Sequence, residues 1–278
     1  MRVARFGDVG REIPALERDG RIYDLRSIVD DIDASALSPE GLERIRTAGE
    51  LPELDVEGLR IGAPIARPGS VFCIGMNYAA HAAESGATPP ERPVMFMKPA
   101  NTVVGPNDPV DVPRGSTRTD WEVELAIVIG SHAVYLESEE AAAHAIAGYT
   151  MANDLSEREW QLEISGGQWS KGKAAPGFTP VGPWFVPASE IDPNALRLRS
   201  WVNGEPRQDS NTADMIFSPT RIVWELSQYL AFEPGDLILT GTPEGVALSG
   251  RFPYLSAGDV VELEIDGLGR QRQEMGQA

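Results

Sequence analysis

The sequence predicts an α+β chain in which strands dominate. Three observations carry this: short apolar or alternating runs recur along most of its length, Gly- and Pro-containing turns separate them, and only a few segments have helical spacing. At 278 residues and 42% hydrophobic, the chain can bury a large core, arranged as a small unit followed by a large one.

The small unit spans residues 1–66. Arg2 to Phe6 reads as a strand, Ala15 to Leu25 as a hairpin turning at Asp19-Gly20, and Ser38-Pro39-Glu40 caps a helix running to about Ala48. The stretch Gly62 to Gly69, with Pro64 and Pro68, is the joint to the main domain at 67–278, which begins on the apolar Val71-Phe72-Cys73-Ile74. Further strands are expected at Val94 to Met97, Glu122 to Ile129, Ile146 to Ala152, Leu196 to Val202, Leu237 to Thr240 and Val260 to Ile265. Helices are expected at Tyr78 to Ser85, Glu139 to Ala145, Glu157 to Ile164 and Thr220 to Leu230. The sequence shows no internal repeat and no low-complexity tail.

Charge and composition exclude several classes of function. A net charge of -18 argues against nucleic acid or an anionic membrane as partner. The start of the chain lacks the apolar core of a signal peptide, and the longest apolar run, Leu125 to Ile129, is too short to span a bilayer. Cys73 is the only cysteine, which rules out an intramolecular disulfide and fits a reducing compartment, so a cytoplasmic location is expected.

Chemistry enters with Glu122-Val123-Glu124. In the strand from Trp121 to Ile129 the side chains of Trp121, Val123, Leu125, Ile127 and Ile129 share one face, leaving Glu122 and Glu124 together on the other. Two carboxylates on one face repel unless a positive group lies between them, and an isolated Asp154 follows the next apolar strand. Two Glu and one Asp suit a hard cation, Mg²⁺, Mn²⁺ or Ca²⁺, and no Cys/His cluster favours zinc. The plain alternative is a half-exposed strand with its charges facing water.

Asp154 precedes Ser156-Glu157-Arg158-Glu159, which reads as a capping box opening a helix. On that helix Arg158 and Gln161 are three apart and can both point beside Asp154, where an anionic, metal-chelated substrate would need them. Upstream, His81 and Glu84 are one helical turn apart and read as a base with the carboxylate that orients it. Lysine is scarce: of 24 basic residues only Lys98, Lys171 and Lys173 are lysines. A compact ammonium can sit close to an oxyanion where a planar guanidinium does not fit, so these positions are marked for chemistry.

Two near-matches mislead. Gly167 to Ala174 approaches a phosphate-loop pattern, but Ala174 stands where a hydroxyl must reach Mg²⁺, a helix precedes it, and Pro176, Gly177 and Pro180 forbid a helix after it. Ser170 and Lys173 spell Ser-x-x-Lys, but Gly172 and the prolines deny that pair its helix and no Lys-Thr-Gly partner exists.

Taken together, Gly75-Met76-Asn77-Tyr78 with His81 and Glu84, Phe96-Met97-Lys98-Pro99, Glu122-Val123-Glu124-Leu125, Asn153-Asp154 with Arg158 and Gln161, Gly172-Lys173, Pro234-Gly235-Asp236 and Thr240-Gly241-Thr242-Pro243 closely resemble the fumarylacetoacetate hydrolase superfamily over about residues 70 to 266. The resemblance implies a mixed β-sandwich roll with a small N-terminal α+β domain, assembled as a homodimer. It implies Glu122, Glu124 and Asp154 as ligands of Mg²⁺ or Mn²⁺, His81 with Glu84 as general base and partner on a lid helix, and Lys173 as the active-site lysine. Arg158, Gln161, Thr242 and Tyr78 would contact the substrate. The implied reaction is hydrolysis of a C–C bond in a 1,3-diketo acid, an acylpyruvate or a 2,4-diketo-3-deoxy sugar acid, with release of pyruvate. Decarboxylation or isomerisation of oxaloacetate-like or hydroxymuconate-like keto acids is the alternative on the same site, and a non-catalytic relative braced by its cation is the alternative of another class. The sequence departs from the commoner family pattern at Ala174-Ala175-Pro176-Gly177, where many members carry Ser, an apolar residue, Asp and Thr. Ser156-Glu157-Arg158 followed by Gly166 to Lys173 looks most like members acting on diketo-deoxy sugar acids.

Overall fold

The computed structural model describes residues 1–84, 86 and 88–278. Strands hold 34% of the chain and helices 20%, which makes the fold α+β with β in the majority, as expected. The first strands form a four-stranded sheet in the order Arg21–Asp24, Ile13–Arg18, Arg2–Phe6, Ile61–Gly62. Its hairpin turns at Asp19-Gly20, where φ is 55° and 77°; both values are positive, as a two-residue turn matching the strand twist requires. Ser38 caps the helix Pro39–Arg46 by accepting from Gly41 N. A short helix not foreseen, Ala34–Leu37, precedes it and is capped by Asp33.

A six-stranded mixed sheet forms the centre, ordered Val186–Pro187, Ile146–Asn153, Val123–Ile129, Leu237–Leu239, Val71–Gly75, Val94–Lys98. A five-stranded sheet, ordered Glu205–Asn211, Arg197–Val202, Val260–Ile265, Gly269–Gln277, Val110–Val112, packs on one of its faces. The strand Val123–Ile129 explains why. Val123, Leu125, Ile127 and Ile129 join Trp121 in the core shared with Leu198, Val261, Leu263 and Ile265 of the five-stranded sheet. The opposite residues Ala126 and Val128 enter a second core with Val3, Leu16, Leu37 and Ile45 from the N-terminal unit. The alternation was read in the right phase, but the second face meets protein and not water: Glu122 and Glu124 are only 5% and 1% exposed.

The N-terminal unit is tied down by Val3 and Phe185, whose backbones exchange hydrogen bonds of 2.9 and 2.8 Å. Three helices differ from expectation. The capping box does not form, because Ser156–Glu157 pairs as a two-residue ribbon with Thr119–Asp120 and the Ser156 hydroxyl donates to Asp154 O. Glu157 takes over as cap, accepting from Trp160 N, and the helix is only Arg158–Leu162. The helix expected at Thr220 to Leu230 is Pro219–Leu226. The helix expected at Tyr78 to Ser85 is Ala79–Glu84, Ser85 lying outside the described residues. Besides several strands of two or three residues, the longer strands Glu205–Asn211 and Gly269–Gln277 had no sequence expectation.

Because the two units share one core, thermal unfolding is expected to be a single transition. Phe185→Ala should lower stability by about 3–5 kcal/mol while keeping one calorimetric transition; two resolved transitions would show the units to be independent.

Candidate metal centre and active site

Strand pairing assembles the acidic triplet. Val123 pairs with Asn153 and Glu124 with Ala152, and Asp154 N continues the ladder to Glu122 O at 3.0 Å, so Asp154 stands opposite Glu122. One carboxylate oxygen from each of Glu122, Glu124 and Asp154 lies within 4.8 Å of the others. Among the described residues, no other three His, Cys, Asp or Glu side chains converge in this way.

Three buried cations surround the triplet. Lys173 Nζ donates to Glu122 Oε2 at 2.7 Å and to Asp154 Oδ2 at 2.8 Å. Lys98 Nζ donates to Asp154 Oδ1 and to the carbonyls of Leu155 and Phe178. Arg158 donates from Nε to Asp120 Oδ2 at 2.7 Å, sits with Nη2 2.8 Å from Glu122 Oε1, and donates from Nη1 to Gln161 Oε1. Burial would raise the pKa of Glu122, but Lys173 and then Arg158 bring it down to about 2. Burial likewise favours the neutral amine of Lys173, yet Asp154 and Glu122 hold it at about 12.

Glu124 is the exception. It accepts one bond from Gly241 N at 2.7 Å and pairs with no cationic side chain. Burial, then repulsion from Asp154 and Glu122, push its carboxyl well above the ordinary range. Three buried oxygen ligands, one of them lacking a positive partner, are the donor set a hard divalent cation fits.

Local backbone features aim the remaining groups. Lys173 ends the one-turn helix Ser170–Lys173, which stops short of Pro176; the sequence had denied a helix here. A Cβ on Gly172 would lie 2.4 Å from Glu157 O and 2.5 Å from Gln161 N, so only glycine lets this turn press on the helix carrying Arg158. Gly241, at φ 97°, brings Thr242 to the centre, where its hydroxyl donates to Val123 O and accepts from Gln208 Nε2. The backbone N–H of Glu122 donates to Asn153 Oδ1, whose amide donates to Gln273 Oε1, and Gln273 in turn donates to Pro106 O.

The three carboxylates line a cavity of about 150 Å³ together with His81, Arg158, Gln161, Lys173 and Thr242. A larger cavity of about 600 Å³ lies beside Trp160 and Lys171, but it holds no such group of ligands. Burial lowers the His81 pKa from its ordinary value, Glu122 opposing and Arg158 assisting, which favours the neutral imidazole. Its Nδ1 is 3.8 Å from Glu84 Oε2, too long for a hydrogen bond; Glu84 also meets Arg251 at 2.6 Å and accepts from Gly245 N. Tyr78 does not line the cavity. Its ring is fully buried in the core between the sheets, because the chain turns at Met76 (φ 55°) and directs the next helix, not Tyr78, at the centre. Lys98 and Asp120 belong to the centre without having been assigned to it from sequence, although the scarcity of lysine had singled out Lys98.

The model of the Fumarylacetoacetate (FAA) hydrolase C-terminal region matches residues 70–275. The chain belongs to the fumarylacetoacetate hydrolase family. A Burkholderia multivorans protein provisionally described as a hydrolase is 46% identical over 280 residues, 98% of each chain. The solved 5-carboxymethyl-2-hydroxymuconate delta-isomerase from Mycobacterium smegmatis is 33% identical with a TM-score of 0.80, covering 100% of this chain and 99% of that one. Maleylpyruvate hydrolase from Sphingobium sp. SYK-6, solved with manganese(II) and pyruvate, is 27% identical with a TM-score of 0.82 over 100% of both chains. Both hydrolases and isomerases are thus similar to this family member, and no helix among the described residues is long and apolar enough to cross a membrane.

Adding Mn²⁺ or Mg²⁺ at a hundredfold excess over Kd should stabilise the protein by about 2.7 kcal/mol, roughly 5–10 °C in Tm. Glu124→Gln should abolish that response while raising the Tm of the chelated protein, since it removes a buried carboxyl whose ionisation the fold disfavours. The sign with pH follows: a raised folded-state pKa at Glu124 favours the fold at acid pH, so chelated wild type should lose stability relative to Glu124→Gln as pH rises from 5 to 8, read by thermal scans.

Proposed function

We propose that the chain is a divalent-metal-dependent hydrolase that cleaves a C–C bond in a 1,3-diketo acid, an acylpyruvate or a 2,4-diketo-3-deoxy sugar acid, and releases pyruvate. The observation that carries this reading is His81 lining the same cavity as the acidic triplet and Lys173. The likeness to a maleylpyruvate hydrolase holding manganese(II) and pyruvate supports it. Mg²⁺ as the working cation, a homodimer and a cytoplasmic location belong to the same reading.

Held by Glu122, Glu124 and Asp154, a divalent cation supplies Lewis-acid polarisation of a chelating 2-keto carboxylate. The chain does the rest. Arg158 and Gln161 fix the acidic group that receives the chelate, and Thr242 closes the carboxylate end of the cavity. His81 takes a proton from water at Nε2, its Nδ1 being turned to Glu84. The water oxygen bonds to the C4 carbonyl carbon while Lys173 Nζ offers its positive charge to the oxygen that becomes negative. The C3–C4 bond then breaks, its electron pair passing to the pyruvate fragment, which takes up a proton at C3; the other product is the acyl carboxylate.

Isomerisation is the second reading, and two observations favour it. The solved isomerase is the more similar of the two in sequence, at 33% against 27% identity, and His81 and Glu84 are not hydrogen-bonded, whereas isomerisation needs no activated water.

Pyruvate release should be measured on a panel of acylpyruvates, diketo-deoxy sugar acids and oxaloacetate, with and without Mg²⁺ or Mn²⁺. Metal-dependent release from a diketo acid is expected; an inert protein that is merely stabilised by the cation would establish a structural metal instead. Lys173→Ala should lose roughly 100–1,000-fold in kcat with little change in KM. His81→Ala should abolish hydrolysis while sparing decarboxylation. Because the neutral imidazole is the working form and its pKa is lowered, the acid limb of kcat/KM should fall below pH 6.5.

A further inference from the structure

We propose that Arg251 is a positioning residue for the base: it holds one oxygen of Glu84 so that the other stays turned to His81, and so fixes the helix Ala79–Glu84 beside the metal centre. This rests on the hydrolase reading, in which His81 is the base, and deepens it. Among the described residues His81 Nδ1 has no hydrogen-bond partner, and the carboxylate oxygen turned to it is Glu84 Oε2, 3.8 Å away. The other oxygen, Oε1, stands 2.6 Å from Arg251 Nη2, a charge contact without the alignment of a hydrogen bond. Among the described residues Arg251 is the only lysine or arginine paired with Glu84. The Glu84 side chain is only 13% exposed, so without that guanidinium its charge is left with the Gly245 N–H alone. A carboxylate so placed takes up a proton or swings to water. Either change removes the charged oxygen from the imidazole.

The loop that carries Arg251 is fastened to the metal centre. Asp120 accepts from Ala247 N at 2.8 Å and from Leu248 N at 3.0 Å, and the same carboxylate accepts from Arg158 Nε at 2.7 Å. One buried acid therefore ties Arg158, the cation beside Glu122, to the loop bearing the cation beside Glu84. Gly250, at φ 78°, ends the short helix Ala247–Ser249 and turns the chain immediately before Arg251. The guanidinium then lies over the Phe252 ring at 5.4 Å, and that ring packs on Trp121 at 6.3 Å with the Arg207 guanidinium over it at 4.8 Å. At Gly245 φ is 100° and a Cβ would lie 2.2 Å from Arg207 O, so only glycine brings its N–H within 3.2 Å of Glu84 Oε2. The start of the helix is held from elsewhere, Ala80 N donating to Asp214 Oδ2 at 3.0 Å. Arg251 also counters Glu244, whose carboxyl burial, Asp214 and Glu84 push above its ordinary range. The Arg251 charge thus answers more than one acid at this end of the helix.

The test is a double-mutant cycle on the Mn²⁺-loaded enzyme, reading pyruvate release from the diketo acid of the panel above that is cleaved fastest. Arg251→Met should lose at least about tenfold in kcat with KM held within about twofold, and Arg251→Lys, which keeps the charge, should regain most of that loss. In a Glu84→Gln background the carboxylate charge is already gone, so adding Arg251→Met should cost less than about twofold. The rise in Tm on adding Mn²⁺ should be the same in Arg251→Met as in wild type, because Arg251 pairs with Glu84 and with none of the three metal carboxylates. An unchanged kcat in Arg251→Met, an equal loss in both backgrounds, or a loss that lysine does not relieve overturns the inference and leaves the hydrolase reading standing. A higher KM at constant kcat, which would make Arg251 a substrate contact, or a lost Mn²⁺ response overturns it too. If no diketo acid yields pyruvate, the hydrolase reading falls and takes the inference with it.

Discussion

Three carboxylates buried side by side are the constraint on which the structure turns. Ionised groups of like sign are tolerated away from water only when paired and hydrogen-bonded. Lys98 and Lys173 flank Asp154, Lys173 and Arg158 flank Glu122, and Asp120 in turn holds Arg158. Glu124 remains without such a partner, an imbalance that a divalent ion held by the three carboxylates would offset. Much of the surrounding fold serves this arrangement: the Gly172 turn that delivers Lys173, the Glu157 cap that starts the Arg158 helix, and the Gly241 turn that offers a backbone N–H to Glu124.

The parts of the fold that were legible are those whose buried side chains are hydrocarbon. Val123, Leu125, Ile127 and Ile129 announced their strand by alternation, and Asp19-Gly20 announced its turn by backbone preference. The strands Glu205–Asn211 and Gly269–Gln277 were silent because their inward positions include Gln208, Gln271 and Gln273, fully or nearly buried amides that carry no hydrophobic period. The two-residue ribbon Thr119–Asp120 with Ser156–Glu157 is too short for any period, and it displaced the capping box that local sequence favoured.

The site divides along similar lines. Glu122, Glu124 and Asp154 were readable because charge breaks an apolar pattern in a fixed phase, and Lys98 and Lys173 stood out by their rarity. Asp120 gave no signal, since its work is done on Arg158 from a chain-distant ribbon. His81 and Glu84 have the spacing of an interacting pair, but spacing along a helix fixes only approach, and Arg251 competes for the same carboxylate. Tyr78 shows the limit of a motif: the residues beside it reach the cavity while its own ring fills the core.

The amide relay behind Glu122 bears on how the protein is made. Asn153 grips the Glu122 backbone and is itself gripped by Gln273, a residue 120 positions later in the chain. During synthesis Glu122 and Asn153 leave the ribosome well before Gln273, so the brace behind the acidic strand closes only when the strand Gly269–Gln277 docks.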